Sequence, residues 1–370
     1  MDKPLHILIS GGGTGGHIYP ALSIANELRE HYPDAKMLFV GARDRMEMER
    51  VPKAGYEIIG LNIAGLQRSL STRNLTFPFK LAGSLIKARK IVSDFAPDIA
   101  IGTGGYAGGP TLWAAQRAGI PTLIQEQNSY PGITNKLLAK KVDKICVAYE
   151  GLEKYFPVEK IVFTGNPVRS DLFNVSGKRE EAIEYFGLKK DRKTMLVIGG
   201  SLGARAINQR VGDRLIDFHN SKIQLIWQCG RLYVEKCRTV AKEYDNVQVH
   251  PFLERIDLAY AAADVIVSRA GAGTLSELAL VGKPAMLIPS PNVAEDHQKK
   301  NAMALVDEGA AVMVEEREWA HGGRPKYGLG EVLSDPELMT RLSKNIKRMA
   351  KPNATKDIVA EIKKLVERES

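Results

Sequence analysis

Short, mostly apolar runs alternate with longer stretches of helical periodicity along almost the whole chain. The first half carries such runs at 5–9, 36–40, 57–61, 98–101, 121–124, 144–147 and 161–163. The second half carries them at 194–198, 223–227, 247–249, 265–267, 285–288 and 311–314. Runs of this length predict strands buried on both faces, and helical segments between them predict parallel pairing. The predicted fold class is therefore α/β, with doubly wound parallel sheets. The alternation occurs twice, so two domains are expected. Glycine and proline punctuate Thr164-Gly165-Asn166-Pro167-Val168-Arg169, and a polar stretch follows until Met195. The predicted domains are 1–164 and 165–350. Residues 351–370 add a final amphipathic helix with Ile358, Ile362, Leu365 and Val366 on one face, expected to pack back on the first domain.

Three glycine-rich turns follow three of these strands. They are Gly11-Gly12-Gly13-Thr14-Gly15-Gly16-His17, Gly102-Thr103-Gly104-Gly105-Tyr106, and Gly199-Gly200-Ser201-Leu202-Gly203-Ala204. Glycine permits positive φ and close approach to a ligand, and a helix starting there points its free N–H groups at an anion. Loops of this kind in both halves predict a phosphate-bearing ligand held between two domains.

Gly11-x-Gly13-x-x-Gly16 also fits a dinucleotide fingerprint, which wants an acidic residue at the end of the second strand. That strand ends in Gly41-Ala42-Arg43, with Asp34 too early and Asp44 late. A nicotinamide dinucleotide is therefore disfavoured. His17 sits where loop becomes helix; it is either a general base or a cap of the turn. Glu126-Gln127-Asn128 and Arg169 follow strands, in the region where doubly wound sheets bind ligands. In Ser268-Arg269-Ala270-Gly271-Ala272-Gly273-Thr274-Leu275-Ser276-Glu277, a helix start can take a diphosphate. Glu277 then either fixes ribose hydroxyls or forms a capping box with Thr274. Gln298 and Asn301 carry amides three residues apart, suited to sugar hydroxyls.

The charge balance narrows the partners. The 370 residues carry a net charge of +9, so an anionic partner is expected. Segment 66–92 holds six basic residues and no acidic one, interleaved with Leu75, Phe77, Phe79 and Leu81. That mixture suits an anionic bilayer surface, or else a helix whose polar face is basic. No apolar stretch approaches the roughly 18 residues of a membrane span. The start of the chain lacks the basic and apolar regions of a signal peptide. Three cysteines with no Cys-x-x-Cys pair predict neither a disulfide framework nor a zinc site, and a reducing compartment. No Asp-x-Asp occurs, no phosphate loop of the Walker type is present, and no nucleic-acid module is evident.

Taken together, the three glycine turns, Glu126-Gln127-Asn128, Gly165-Asn166-Pro167-Val168-Arg169, the 268–277 segment and Asp296-His297-Gln298-x-x-Asn301 occur in one order. In that order they resemble the MurG family, the peptidoglycan N-acetylglucosaminyltransferases of bacteria, over essentially the whole chain. The resemblance implies a GT-B fold, two doubly wound domains facing a cleft. It implies inverting transfer of N-acetylglucosamine from its UDP donor to the 4-hydroxyl of the N-acetylmuramoyl-pentapeptide of lipid I, giving lipid II. No metal and no other cofactor is implied. The implied partners are UDP-N-acetylglucosamine, undecaprenyl-linked lipid I and the anionic inner-membrane surface, met peripherally from the cytoplasm, with no nucleic acid.

Residue by residue, the resemblance implies Thr14, Gly15 and Gly16 at the donor's sugar–phosphate end and His17 as the base, with Glu126 as the alternative. Asn128 would contact the transferred sugar, and Arg169 and Ser201 the diphosphate side. Ala272, Gly273, Thr274, Leu275 and Ser276 would surround diphosphate and ribose. Glu277 would hold the ribose hydroxyls, Gln298 the sugar hydroxyls and Leu253 the uracil. Gly104, Gly105 and Tyr106 are candidates for the acceptor diphosphate, and Leu75, Phe77, Phe79 and Lys80 for the membrane. Two departures stand out. Many members carry histidine where this chain has Gln125, and the 290–296 loop is spaced differently from some of them. The rival enzyme is a UDP-N-acetylglucosamine 2-epimerase, which shares fold and donor but needs no lipid acceptor. A non-catalytic nucleotide-sugar-binding protein is the third class.

Overall fold

The central apolar runs become strands because they are covered on both faces. The computed structural model describes residues 4–63, 77–200, 202–293, 296–322 and 325–367. Among them every strand pairing is parallel. The chain divides into two compact units, Met1–Val168 with Asn353–Ser370, and Arg169–Pro352. The first unit thus closes after Val168 rather than after Thr164.

The first unit runs β1 (His6–Gly11), α1 (Gly15–His31), β2 (Lys36–Ala42), α2 (Glu47–Lys53), β3 (Glu57–Leu61), α3 (Phe77–Phe95), β4 (Ile99–Gly104), α4 (Gly108–Arg117), β5 (Thr122–Glu126), α5 (Ile133–Leu138), β6 (Lys144–Val147) and β7 (Ile161–Phe163). Its sheet order is β3-β2-β1-β4-β5-β6-β7. Strand β1 shows how the covering works. Ile7 and Ile9 pack with Ile18, Ile24 and Leu28 of α1, while Leu8 faces Ala88, Ile91 and Val92 of α3 on the other side. The last helix of the chain, Ala354–Glu367, belongs to this unit and lies on α1. Its Ile358, Val359, Ile362 and Leu365 are buried with the α1 side chains. At about 1.5–3 kcal/mol each, those four side chains anchor it.

The second unit runs α6 (Arg179–Tyr185), β8 (Thr194–Ile198), α7 (Arg205–Gly212), α8 (Leu215–Asn220), β9 (Gln224–Gln228), α9 (Val234–Ala241), β10 (Val247–His250), α10 (Ile256–Ala262), β11 (Val265–Ser268), α11 (Ala272–Val281), β12 (Ala285–Leu287), α12 (His297–Val306), β13 (Val312–Met313) and α13 (Pro336–Arg348). The final helix, Ala354–Glu367, is α14. Sheet order here is β10-β9-β8-β11-β12-β13. Trp227 sits in its core, its indole N–H donating to Asn208 Oδ1 at 3.0 Å.

The two orders carry the functional consequence. In the first sheet the winding reverses between β1 and β4, and in the second between β8 and β11. A doubly wound sheet binds ligands beyond the carboxyl ends of the strands at that reversal. The first two glycine turns leave β1 and β4. The third, and the 268–277 segment, leave β8 and β11.

Candidate active site

In the first unit the two glycine turns interlock. Gly12 N–H donates to Gly104 O at 3.3 Å, and the Thr103 hydroxyl donates to the His17 carbonyl at 2.7 Å. A Cβ on Gly105, which lies at φ +92°, would come within 2.3 Å of Gly12 O. Only glycine lets the second turn close on the first. Against this backing lies His17. Its Nδ1 is 2.9 Å from Gly12 O, which makes Nδ1 the protonated nitrogen and Nε2 the basic one. Thr14 Oγ1 is 3.4 Å from the same Nδ1. The ring lies along Gly104, where a Cβ would be 3.0 Å from Nε2. Thr14, Gly15 and Gly16 form the start of α1, with Thr14 the N-cap and no side-chain cap on the helix. Tyr106 stands exposed beyond Gly104 and Gly105.

Glu126 is not arranged as a base. It is 1% exposed, and both its oxygens are occupied. Oε1 accepts from Asn128 N at 3.0 Å and Asn128 Nδ2 at 3.1 Å. Oε2 accepts from Gly132 N at 3.1 Å and Asn135 Nδ2 at 2.8 Å. A carboxylate with four donors shapes the loop that presents Asn128; its lone pairs are spent there. Gln125 joins a second buried network, donating to Asn166 Oδ1 at 2.8 Å, while Gln127 donates to Thr103 O at 2.7 Å. The buried Glu47 of α2, absent from the residues singled out by sequence, accepts from Gly13 N at 2.9 Å and Ala42 N at 3.0 Å.

In the second unit α11 starts at the reversal with no side-chain cap, its N-cap Gly271 extended at ψ 140°. The capping box is therefore absent, and no side chain caps the Ala272, Gly273 and Thr274 amides at this helix start. Leu275 is buried, and the Ser276 hydroxyl turns back to Ala272 O at 3.1 Å. Glu277 is engaged elsewhere: its Oε2 accepts from the hydroxyl of the fully buried Tyr260 at 3.0 Å. Burial pushes the Glu277 carboxyl up to about 7, against the pull of the Tyr260 hydroxyl and the Arg169 guanidinium. Arg169 does not point a free fork at a ligand. It is exposed and paired with Asp171, through Nε at 3.1 Å and Nη2 at 2.6 Å.

Gln228, at the end of β9, clamps the third glycine turn. Its Oε1 accepts from Gly200 N at 3.1 Å and its Nε2 donates to Gly200 O at 2.9 Å. The same Nε2 lies 3.4 Å from Pro251 O, just before the exposed Phe252 and the buried Leu253. Gln298, at the start of α12, fixes its own amide by accepting from Ser290 N at 2.8 Å. Ser201 lies outside the described residues.

Of the membrane-facing set, Leu75 also lies outside the described residues. Phe79 is 81% exposed at the first turn of α3; Phe77 and Lys80 are partly buried. Ile86, two turns on, is exposed as well. No helix among the described residues is long and apolar enough to cross a membrane.

Comparison with known proteins bears on the family and the fold. The glycosyltransferase family 28 N-terminal domain matches residues 7–147 and its C-terminal domain matches 194–365. The UDP-N-acetylglucosamine–N-acetylmuramyl-(pentapeptide) pyrophosphoryl-undecaprenol N-acetylglucosamine transferase of Flavobacterium psychrophilum is 56% identical over 97% of both chains. That of Christiangramia forsetii is 56% identical over 99% of both. The crystal structure of Acinetobacter baumannii MurG superposes with a TM-score of 0.78 at 30% identity, covering 98% of this chain and 100% of that one. A UDP-GlcNAc 2-epimerase from Neisseria meningitidis reaches 0.64 at 16% identity over 98% and 100% of the chains, a likeness of fold alone. The chain belongs to the MurG family of glycosyltransferases, built from the family 28 N- and C-terminal domains.

Proposed function

We propose that this protein transfers N-acetylglucosamine from UDP-N-acetylglucosamine to the 4-hydroxyl of the N-acetylmuramoyl-pentapeptide of lipid I, with inversion and without a metal. The observation that carries the mechanism is the His17 ring, held by Gly12 O through Nδ1 so that Nε2 is the basic nitrogen. The relatives that share more than half of this sequence carry that substrate pair in their names.

The steps follow from the groups present. The acceptor hydroxyl gives its proton to His17 Nε2 as its oxygen attacks the anomeric carbon. The bond from that carbon to the diphosphate breaks, and UDP leaves with the electron pair. The uncapped start of α11 takes the developing negative charge on its Ala272, Gly273 and Thr274 amides. Arg169 joins by exchanging Asp171 for the diphosphate. An exposed ion pair of this kind is worth only about 0–1 kcal/mol, so the exchange is cheap. Glu277 accepts from the ribose hydroxyls, and Gln298 and Asn128 orient the sugar. Leu253 and Phe252 flank the base. The exposed Phe79, with Phe77 and Lys80, rests on an anionic bilayer, which brings the enzyme to its lipid-borne acceptor.

The test is transfer of labelled sugar to a short-chain lipid I analogue in the presence of EDTA. Transfer is expected. Its absence, with UDP-N-acetylmannosamine formed instead, overturns the proposal in favour of the epimerase. His17→Ala is expected to lower kcat by about 10²–10⁴-fold with donor affinity unchanged.

A further inference from the structure

Glu47 is completely buried at the first position of α2. The space for it is made by glycine: a Cβ on Gly12 would lie 2.2 Å from its Oε1, and one on Gly41 2.6 Å from its Cγ. One oxygen accepts from Ala42 N at the end of β2, the other from Gly13 N in the first glycine turn. The carboxylate thus ties the carboxyl ends of two neighbouring parallel strands together. It also takes the Gly13 amide from any phosphate and fills the turn from within.

The bond to Gly13 matters more than the tie. Gly13 N–H and Gly12 C=O belong to one peptide group. Its N–H side faces Glu47 at 2.9 Å, and its carbonyl accepts the His17 Nδ1 proton at 2.9 Å. Hydrogen bonds in series polarise one another. An anion on the N–H end of a peptide makes its carbonyl a stronger acceptor. In the familiar carboxylate–histidine pair, the carboxylate fixes the tautomer and supports the imidazolium that forms. Here the same pair has a peptide group inserted between its members. We propose that Glu47 is a positioning residue for the reaction, acting on His17 through the Gly12–Gly13 peptide group to hold Nε2 as the proton acceptor and to stabilise the imidazolium.

This inference rests on the reading of His17 as the base. When the acceptor hydroxyl gives its proton to Nε2, the positive charge spreads over the ring to Nδ1–H. The Gly12 carbonyl, polarised by Glu47, then holds that N–H more tightly. Glu47 itself exchanges no proton and touches no substrate.

Glu47→Gln removes the charge and sets an amide NH2 against one of the two backbone donors. The expected result is a fall in kcat of about 10- to 100-fold, the usual scale for groups that orient a working histidine. The donor KM is expected to stay within about twofold, because the uridine groups sit on other elements. The acid limb of the kcat/KM profile is expected to move to lower pH, since His17 loses the remote anion that favours its protonated form. A purely structural glutamate would move neither that limb nor kcat against KM in this way. In the His17→Ala background, Glu47→Gln is expected to cost little more.

Glu47→Asp, whose carboxylate is withdrawn by one methylene, is the second variant should Glu47→Gln not fold; it is expected to lower kcat at unchanged donor KM. Wild-type kcat and an unmoved acid limb in a folded Glu47→Gln, or wild-type kcat in Glu47→Asp, overturn the proposal. Retained turnover in His17→Ala overturns instead the base assignment beneath it. The two failures are therefore separable.

Discussion

Tyr260→Phe removes one oxygen from a fully buried ring and leaves its volume in place. That oxygen is the hydroxyl donating to Glu277 Oε2 at 3.0 Å. Burial and the Glu277 charge hold the Tyr260 phenol well above its usual range, so it remains a donor at any working pH. Without it, Glu277 keeps the burial that pushes it up to about 7 and loses a group that pulls it down. A hydrogen bond to a charged group contributes about 1.5–3 kcal/mol, which is about one to two pKa units. Ribose hydroxyls donate, so they bind the ionised carboxylate. For a rise of about 1.5 units, the ionised fraction near pH 7.5 drops from roughly three-quarters to roughly one-tenth, an affinity loss of about eightfold. The assay is calorimetric titration with UDP-N-acetylglucosamine, whose diphosphate diester does not titrate in this range. Wild-type affinity is expected to rise as the pH passes through neutrality. In the variant the same rise is expected one to two units higher, with affinity restored at alkaline pH. A ligand lacking both ribose hydroxyls should show neither rise. Equal affinity and an equal midpoint in Tyr260→Phe would refute the reasoning.

Three further outcomes follow from the same geometry. The Glu277 carboxyl is raised on folding, so its ionisation costs stability. That cost is absent below the unfolded value of 4.5 and grows as pH rises through about 7, reaching at most about 3 kcal/mol. Glu277→Gln is therefore expected to raise the thermal midpoint of the ligand-free protein at about pH 8 but not at about pH 4, while abolishing UDP binding; a lower midpoint at pH 8 contradicts it. Gln228→Leu leaves the N–H and C=O of the exposed Gly200 without their side-chain partner, at about 0.5–1.5 kcal/mol per hydrogen bond lost. Weaker UDP binding with an unchanged acceptor KM is expected, and unaltered UDP affinity would show that the clamp is not needed. Phe79→Ser removes an exposed ring and should weaken sedimentation with anionic vesicles at unchanged UDP affinity, whereas equal sedimentation argues against this end of α3 as the contact.

What the sequence revealed, and what it hid, divides along the range of the interactions. Strands such as Thr194–Ile198 and Val265–Ser268 were legible because both faces of a parallel sheet are covered, which leaves a mostly apolar run that needs no partner to be read. The glycine turns were legible because positive φ and close approach leave few other choices of residue, as at Gly105. Glu47, Gln228 and Tyr260 were not legible. Their partners lie 34, 28 and 17 residues away, and each is set by strand order rather than by local pattern. A signal for Glu47 was nonetheless present. It is an acidic residue one helical turn beyond Asp44, after the second strand. Glu126 shows the complementary limit. A carboxylate at a strand end resembles a base in sequence, and its four donors are visible only in space.

The measurement that bears most directly on the account is proton NMR of the reaction of UDP-N-acetylglucosamine with a lipid I analogue, read at the anomeric position. A direct displacement assisted by His17 predicts a new β-linked sugar on the acceptor's 4-hydroxyl, formed from the α-linked donor, at a rate that EDTA does not change. An α-linked product, a product on another hydroxyl, or a free UDP-sugar epimer would contradict it.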